Sequence, residues 1–193
     1  MQIEKIIPNN PTPIEKVQFD GIELHVLRLD QIHPFVSGNK FFKLKYNLGE
    51  ALKKGENQIL TFGGAFSNHI AATAFAASQV NLRSIGVIRG EKVDNPTLAF
   101  AQENGMELHF ISRTDYRSKD QPEMRSKLSV QFGDFHLIPE GGTNQLAIQG
   151  TAEIHKLIPK HYERIATSLG TAGTMAGLIE GSSVTQKIIG FPP

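Results

Sequence analysis

The sequence has no cysteine. That excludes a disulfide framework, a thiol nucleophile and a thiolate metal site, and it makes a cytoplasmic address the default expectation. It has no excess charge of either sign: 20 Lys plus Arg stand against 19 Asp plus Glu, a net charge of +1. A near-neutral chain offers no electrostatic case for nucleic acid or for an anionic membrane. No apolar run approaches the ~20 residues of a membrane span. The start, MQIEKIIPNNPTPIEKV, lacks the apolar stretch of a secretory leader. The seven histidines (His25, His33, His69, His109, His136, His155 and His161) are scattered, with no paired spacing for a metal. A P-loop and the G-x-G-x-x-G fingerprint are absent. Ser67 lacks the G-x-S-x-G elbow of a hydrolase nucleophile.

What is present describes a globular α/β protein. The 193 residues are 39% hydrophobic and 20% charged, enough for a real core in one or two domains. Residues 1–20 read as an extended arm. Gly21–Asp30 begins by alternating, with Ile22, Leu24 and Val26 on one face and Leu27 and Leu29 on the other, which predicts a strand covered on both sides at its end. From Lys40 the spacing of Phe41, Leu44, Leu48 and Ala51 predicts a helix closed by Gly55. A rhythm of short apolar runs and helical segments follows. Strands are expected at about 58–62 and in RSIGVIRG, MELHFIS, FHLIPEGG, ERIATSLG and KIIGF, with helices between them, one from about 68 to 79 capped by Ser67. Alternation of this kind implies open parallel sheets with helices on both faces. The rhythm suggests two subdomains: a small one over 43–139, and a larger one formed by 1–42 plus 140–193.

Two strand-to-helix junctions share a design: TFGGAFSNH (Thr61–His69) and ATSLGTAGTMAG (Ala166–Gly177). Ligands of open α/β sheets bind where such junctions lie. Glycines let backbone N–H groups approach an anion, and the following helix end adds unpaired N–H groups and positive dipole. Ser67, Asn68, Thr171 and Thr174 add side-chain donors. Each junction alone is equally well read as a tight turn whose small residues serve packing. IPEGGTNQLAIQG (Ile138–Gly150) holds a third glycine pair, read as a turn capped by Thr143 or Asn144.

SGNKFFKLKYNL (Ser37–Leu48) puts a lysine where the helix dipole opposes it. A lone lysine is usually just solvated surface. Lys40, however, follows Gly38, which permits an unusual backbone angle, and Asn39, suited to a turn or cap. A positive helix end and a cation such as Lys43 lower an amine's pKa, and a neutral amine is the form that attacks a carbonyl to make a Schiff base. A lysine with two anion cradles is the skeleton of a pyridoxal-phosphate site.

SGNKFFKL, FGGAFSNH, IPEGGTN and SLGTAGTMAGL, in this order, resemble the 1-aminocyclopropane-1-carboxylate deaminase and D-cysteine desulfhydrase family, of the tryptophan-synthase-β-like, fold type II group of pyridoxal-phosphate enzymes. The resemblance runs from about Gly21 to the end. It implies pyridoxal 5'-phosphate as cofactor, Lys40 as its attachment lysine, and Asn68 as partner of its phenolic oxygen. It implies Gly170, Thr171, Ala172, Gly173 and Thr174 as the phosphate loop, with Asn39 beside it. Ser67, Asn68 and His69 become substrate-carboxylate contacts, and Ser67 also lies near the reacting carbon. The implied activity is a deaminase or lyase acting on a small amino acid, giving a 2-keto acid and ammonia, in a homodimer. Three departures stand out. Phe42 replaces the usual Arg, Phe66 replaces the usual Gln, and Ala172 replaces a glycine, a change that fits only if its φ is negative. Family chains also continue well beyond the strand matched by KIIGF, so the resemblance implies a shortened chain with an incomplete larger subdomain. The alternatives are an impaired remnant of the fold that acts by binding alone, or a nucleotide- or sugar-phosphate-binding α/β protein.

Overall fold

The computed structural model describes residues 12–192. The reading of an extended arm over 1–11, and Pro193, lie outside them. The first feature corrects the expectation for 14–20. Strand β1 (Ile14–Phe19) pairs antiparallel with β2 (Ile22–Leu27), Phe19 opposite Ile22. Asp20 (φ 49°) and Gly21 (φ 76°) form the two-residue turn between them. Asp-Gly is the pair that such a turn favours, because both positions need positive φ. The alternation in β2 marks a strand, but its apolar face is not covered by the described residues. Ile22, Leu24 and Val26 are exposed, as are Val17 and Phe19 across the pair, while Leu27 and Leu29 pack against the core.

Helix α1 (Asn39–Lys53) follows a loop and is stopped by Gly55 at φ 70°. Then come β3 (Gln58–Gly64), α2 (Asn68–Gln79), β4 (Arg83–Arg89), α3 (Pro96–Glu103) and β5 (Met106–Ile111). A short helix α4 (Arg113–Arg117), not expected from the sequence, leads to α5 (Pro122–Phe132) and β6 (His136–Ile138). The four strands form one parallel sheet in the order β5-β4-β3-β6. Strand periodicity divides its side chains. Leu60, Phe62, Ile85 and Val87 face α5, burying Met124 and Leu128. Ile59 and Ile88 point the other way, against α1, α2 and α3. Both faces are covered, which is why these strands read as continuous apolar runs.

Helix α6 (Gln145–Ala152) passes into a 3-10 turn. It is followed by β7 (Arg164–Ser168), α7 (Gly173–Gly181) and β8 (Lys187–Phe191), the last parallel to β7. Helices α1, α6 and α7 pack unusually closely because glycines line their contacts. A Cβ at Gly177 would lie 1.9 Å from Thr151 Oγ1, and one at Gly150 would lie 2.0 Å from the Phe42 carbonyl oxygen. That spacing places the start of α1, which carries Lys40, beside the start of α7. Among the described residues no helix is long and apolar enough to cross a membrane.

Candidate active site

The start of α1 is built on Gly38, the N-cap, which holds φ 63° without any side-chain cap. Asn39 is therefore the first helical residue rather than the cap. Its Nδ2 donates to Thr174 Oγ1 at 2.7 Å, tying α1 to the first turn of α7. Lys40 follows, half-buried, and burial holds its amine below the usual lysine value. Desolvation is the leading cause, and the repulsion between Lys40 and Lys43 acts in the same direction.

Lys40 lines a cleft of about 730 Å³ together with Asn39, Ser67, Asn68, His69 and Thr171. Three segments separated by 27 and 102 residues in the chain thus converge. At the first junction Ser67 is the N-cap of α2, as expected, and its Oγ accepts from Ile70 N at 3.4 Å. The N–H groups of Asn68 and His69 fall in the first turn, beyond the reach of the intrahelical ladder. The Asn68 side chain is exposed to the cleft; Phe66, just before the cap, is 77% exposed.

His69 departs from its expected role as a side-chain contact for a carboxylate. Its ring is 2% exposed. Thr61 Oγ1 donates to Ile138 O at 2.8 Å, so it must accept from His69 Nε2–H at 2.9 Å, and Thr73 Oγ1 lies 3.4 Å from Nδ1. Both ring nitrogens are engaged, which leaves the backbone N–H as what His69 can offer a ligand. Burial, then the charges of Lys40 and Lys43, push its pKa down to about 3. A histidine whose folded pKa lies below its unfolded value contributes stability that is fully present above the unfolded value. That stability is lost as pH falls from about 6.5 toward 3. The expected slope is about 1.4 kcal/mol per pH unit for the one proton. Urea unfolding between pH 7 and 4.5 should show it, and His69→Gln should flatten it.

At the second junction the residue that caps α7 is Ala172, at φ 57° and ψ −5°. This overturns the expectation of a negative φ. A left-handed alanine costs roughly 1–2 kcal/mol, and glycine returns part of that gain through unfolded-state entropy. Ala172→Gly should therefore stabilise the fold by about 0.5–1 kcal/mol, read as a higher urea midpoint at unchanged m-value. No side chain caps α7, so the N–H groups of Gly173, Thr174 and Met175 have no intrahelical acceptor and are left at the end of the loop Gly170–Thr174. A Cβ on Gly173 would stand 2.7 Å from Thr143 Oγ1 and 3.1 Å from Lys43 Nζ, so only glycine leaves this backbone open.

Sequence reasoning used Lys43 only as a nearby charge and did not place it in the site. Lys43 is 2% exposed, and its Nζ donates to Gly141 O at 3.0 Å, Thr143 Oγ1 at 3.1 Å and Thr171 Oγ1 at 3.3 Å. Thr143 and Thr171 also hydrogen-bond each other. Burial and repulsion from Lys40 lower the Lys43 amine to about 8. Among the described residues no carboxylate pairs with it, and a buried cation held only by neutral oxygens favours an anion nearby. The available signal was Lys43 and Asn47 at i, i+4 beside an apolar face. Asn47 Nδ2 bonds Lys43 O at 2.7 Å, and Asn47 also exchanges amide hydrogen bonds with Asn144. Asn144, not Thr143, caps α6.

These groups fit the pyridoxal 5'-phosphate that the resemblance implies. The fit rests on a desolvated amine in the cleft, an uncapped helix end behind a glycine-opened loop, and a buried cation without an acid. Among the described residues no cluster of three or more His, Asp or Glu could hold a metal.

No protein-family model matches the chain. Its sequence is 34% identical over 188 residues to a Thermotoga maritima protein carrying the name of a 1-aminocyclopropane-1-carboxylate deaminase, covering 91% of this chain and 60% of that one. It is 30% identical to a bifunctional D-cysteine desulfhydrase/1-aminocyclopropane-1-carboxylate deaminase of Arabidopsis thaliana, covering 89% of this chain and 49% of that protein. It is 26% identical to a D-cysteine desulfhydrase of Salmonella paratyphi A, covering 89% and 57%. The chain thus spans about half to three-fifths of the length of these relatives. Among solved structures, an ACC deaminase homologue superposes with a TM-score of 0.77 at 27% identity, over 93% of this chain and 60% of that one. A pyridoxal 5'-phosphate-dependent aspartate racemase gives 0.75 at 14% identity, over 100% and 61%, a likeness of fold alone. The architecture is that of the fold type II pyridoxal-phosphate enzymes, as expected.

Proposed function

The chain is a homologue of the 1-aminocyclopropane-1-carboxylate deaminase and D-cysteine desulfhydrase family, and from that premise we propose that it serves a pyridoxal-phosphate-dependent deaminase or lyase of amino acids. The observation that carries the reading is the convergence of Lys40 with the two glycine junctions on one cleft. Lys40 is the attachment amine. The α7 N–H groups, Thr171, Thr174 and Asn39 hold the phosphate, and Lys43 Nζ supplies charge behind it. Asn68, which lines the cleft, serves the cofactor's ring oxygen. The bound cofactor supplies an electron sink for negative charge at the substrate α-carbon.

The protein's own groups do the rest. The first-turn N–H groups of α2 and the Ser67 hydroxyl orient a substrate carboxylate at a positive helix end. Lys40 Nζ, its pKa lowered by burial, moves the proton: on D-cysteine it takes the one on the α-carbon, whereas 1-aminocyclopropane-1-carboxylate has no α-hydrogen, so there the proton moves at a ring methylene carbon. The products are a 2-keto acid and ammonia, with sulfide as well when the substrate is D-cysteine. The subdomain split of 1–42 with 140–193 against 43–139, and a homodimer, belong to the same reading. The test is absorption in the visible region on adding pyridoxal phosphate, followed by keto-acid and sulfide assays on 1-aminocyclopropane-1-carboxylate and D-cysteine. A band with product formation supports the reading. A protein that gains no band overturns it and leaves a role by binding alone.

A further inference from the structure

One wall of the same cleft is aromatic, and nothing in the proposed chemistry uses it. Phe35 and Phe100 line the cleft along with the residues of the polar junctions. Their ring centroids are 5.3 Å apart, inclined at 31°. Phe75, from α2, backs them both: 4.8 Å from Phe35, and 6.4 Å from Phe100 at 17°. Three separate elements supply the rings, namely the loop before α1, helix α2 and helix α3.

The wall is held in place. His33 Nδ1 accepts from the backbone N–H of Phe35 at 3.1 Å and of Val36 at 3.0 Å. The His33 ring lies 5.3 Å from Phe75, and Val36, next to Phe35, is 1% exposed and anchors the loop in the core. Yet Phe35 itself remains 49% exposed. A large apolar ring kept rigid and wet at the edge of a site pays no ordering cost when an apolar group covers it. Phe35 is also five residues before Lys40, so the wall and the amine are fixed to the same short segment.

We propose that Phe35 and Phe100 form a side-chain subsite, and that the preferred amino acid carries an aromatic or bulky apolar group joined to its β-carbon through the leaving atom, as in a thioether of cysteine, with alanine, leucine and phenylalanine serving as non-reacting probes of the subsite. This rests on the proposed amino-acid chemistry and extends its substrate class, of which cysteine-sized compounds are the small limit. The α-carboxylate binds at the α2 helix end, the α-amino group lies toward Lys40, and the side chain lies on the Phe35 face. Such a contact is worth about 10-fold or more in affinity over a methyl group.

The test is calorimetric titration of the protein, with and without pyridoxal phosphate, using both enantiomers of alanine, leucine and phenylalanine. The expected result is binding at least about 10-fold tighter for one phenylalanine enantiomer than for the matching alanine. Phe35→Ala should reduce that ratio to about 3-fold or less, and Phe35→Leu should give an intermediate value. Circular dichroism checks that the variants fold. Equal affinity for alanine and phenylalanine, or a ratio that Phe35→Ala leaves unchanged, overturns the proposal. The cofactor band is read separately. A band without side-chain preference sinks the subsite and spares the chemistry. Preference without a band does the reverse.

Discussion

Replacing Lys40 by alanine should abolish the visible band formed with pyridoxal phosphate and reduce turnover by at least about 1,000-fold. The neighbouring Lys43 cannot take over. Lys43 is one turn further along α1, but its amine is spent on Gly141, Thr143 and Thr171. On the proposed reading, covalent attachment and proton transfer to and from the substrate fall to the same nitrogen, and general acid–base catalysis alone is worth about 100- to 10,000-fold. The cradle at α7 is untouched by this substitution. Non-covalent cofactor binding should therefore persist, detectable as protection against thermal unfolding. A Lys40→Ala protein that keeps the band and the activity would remove the basis of the chemical reading. Loss of thermal protection as well would mean that Lys40 is needed to shape the loop rather than to react.

Gly150→Ala should cost at least about 3 kcal/mol, the upper end of the usual penalty for overpacking. The new methyl group would sit 2.0 Å from the carbonyl oxygen of Phe42 and 2.9 Å from its carbonyl carbon. Those atoms are main chain within α1, so no rotamer change relieves the clash. Either α6 or α1 must move. Because Phe42 lies between Lys40 and Lys43, a shift of α1 moves both amines. The cofactor band should weaken even where the protein still folds. Gly64→Ala is the control: nothing lies within 4 Å of its added Cβ, so only a small change in the urea midpoint is expected. Equal stability of the two variants would show that α1 and α6 do not pack as described.

Much of the secondary structure was legible from local chemistry. Ser67 caps α2, Gly55 stops α1, and the apolar runs of β3 and β4 are buried on both faces, because capping, positive φ and strand periodicity depend only on near neighbours. The same rules applied to Phe19-Asp20-Gly21-Ile22 would have revealed the first hairpin. Alternation also marked β2 as a strand, but not whether its apolar face is covered, since burial is decided by another element.

The sequence by itself determined the alternation of strands and helices and the two glycine junctions, each a property of a short segment. Only the tertiary structure decided that Lys40, Ser67 and Thr171 share one cleft, that the His69 ring turns into the core, and that Lys43 is buried. It also decided that Ala172 adopts positive φ and that Phe35 meets Phe100. Each of these depends on how closely α1, α6 and α7 approach and where α2 and α3 lie. Distances between segments as much as 135 residues apart are set by packing, to which no local periodicity refers.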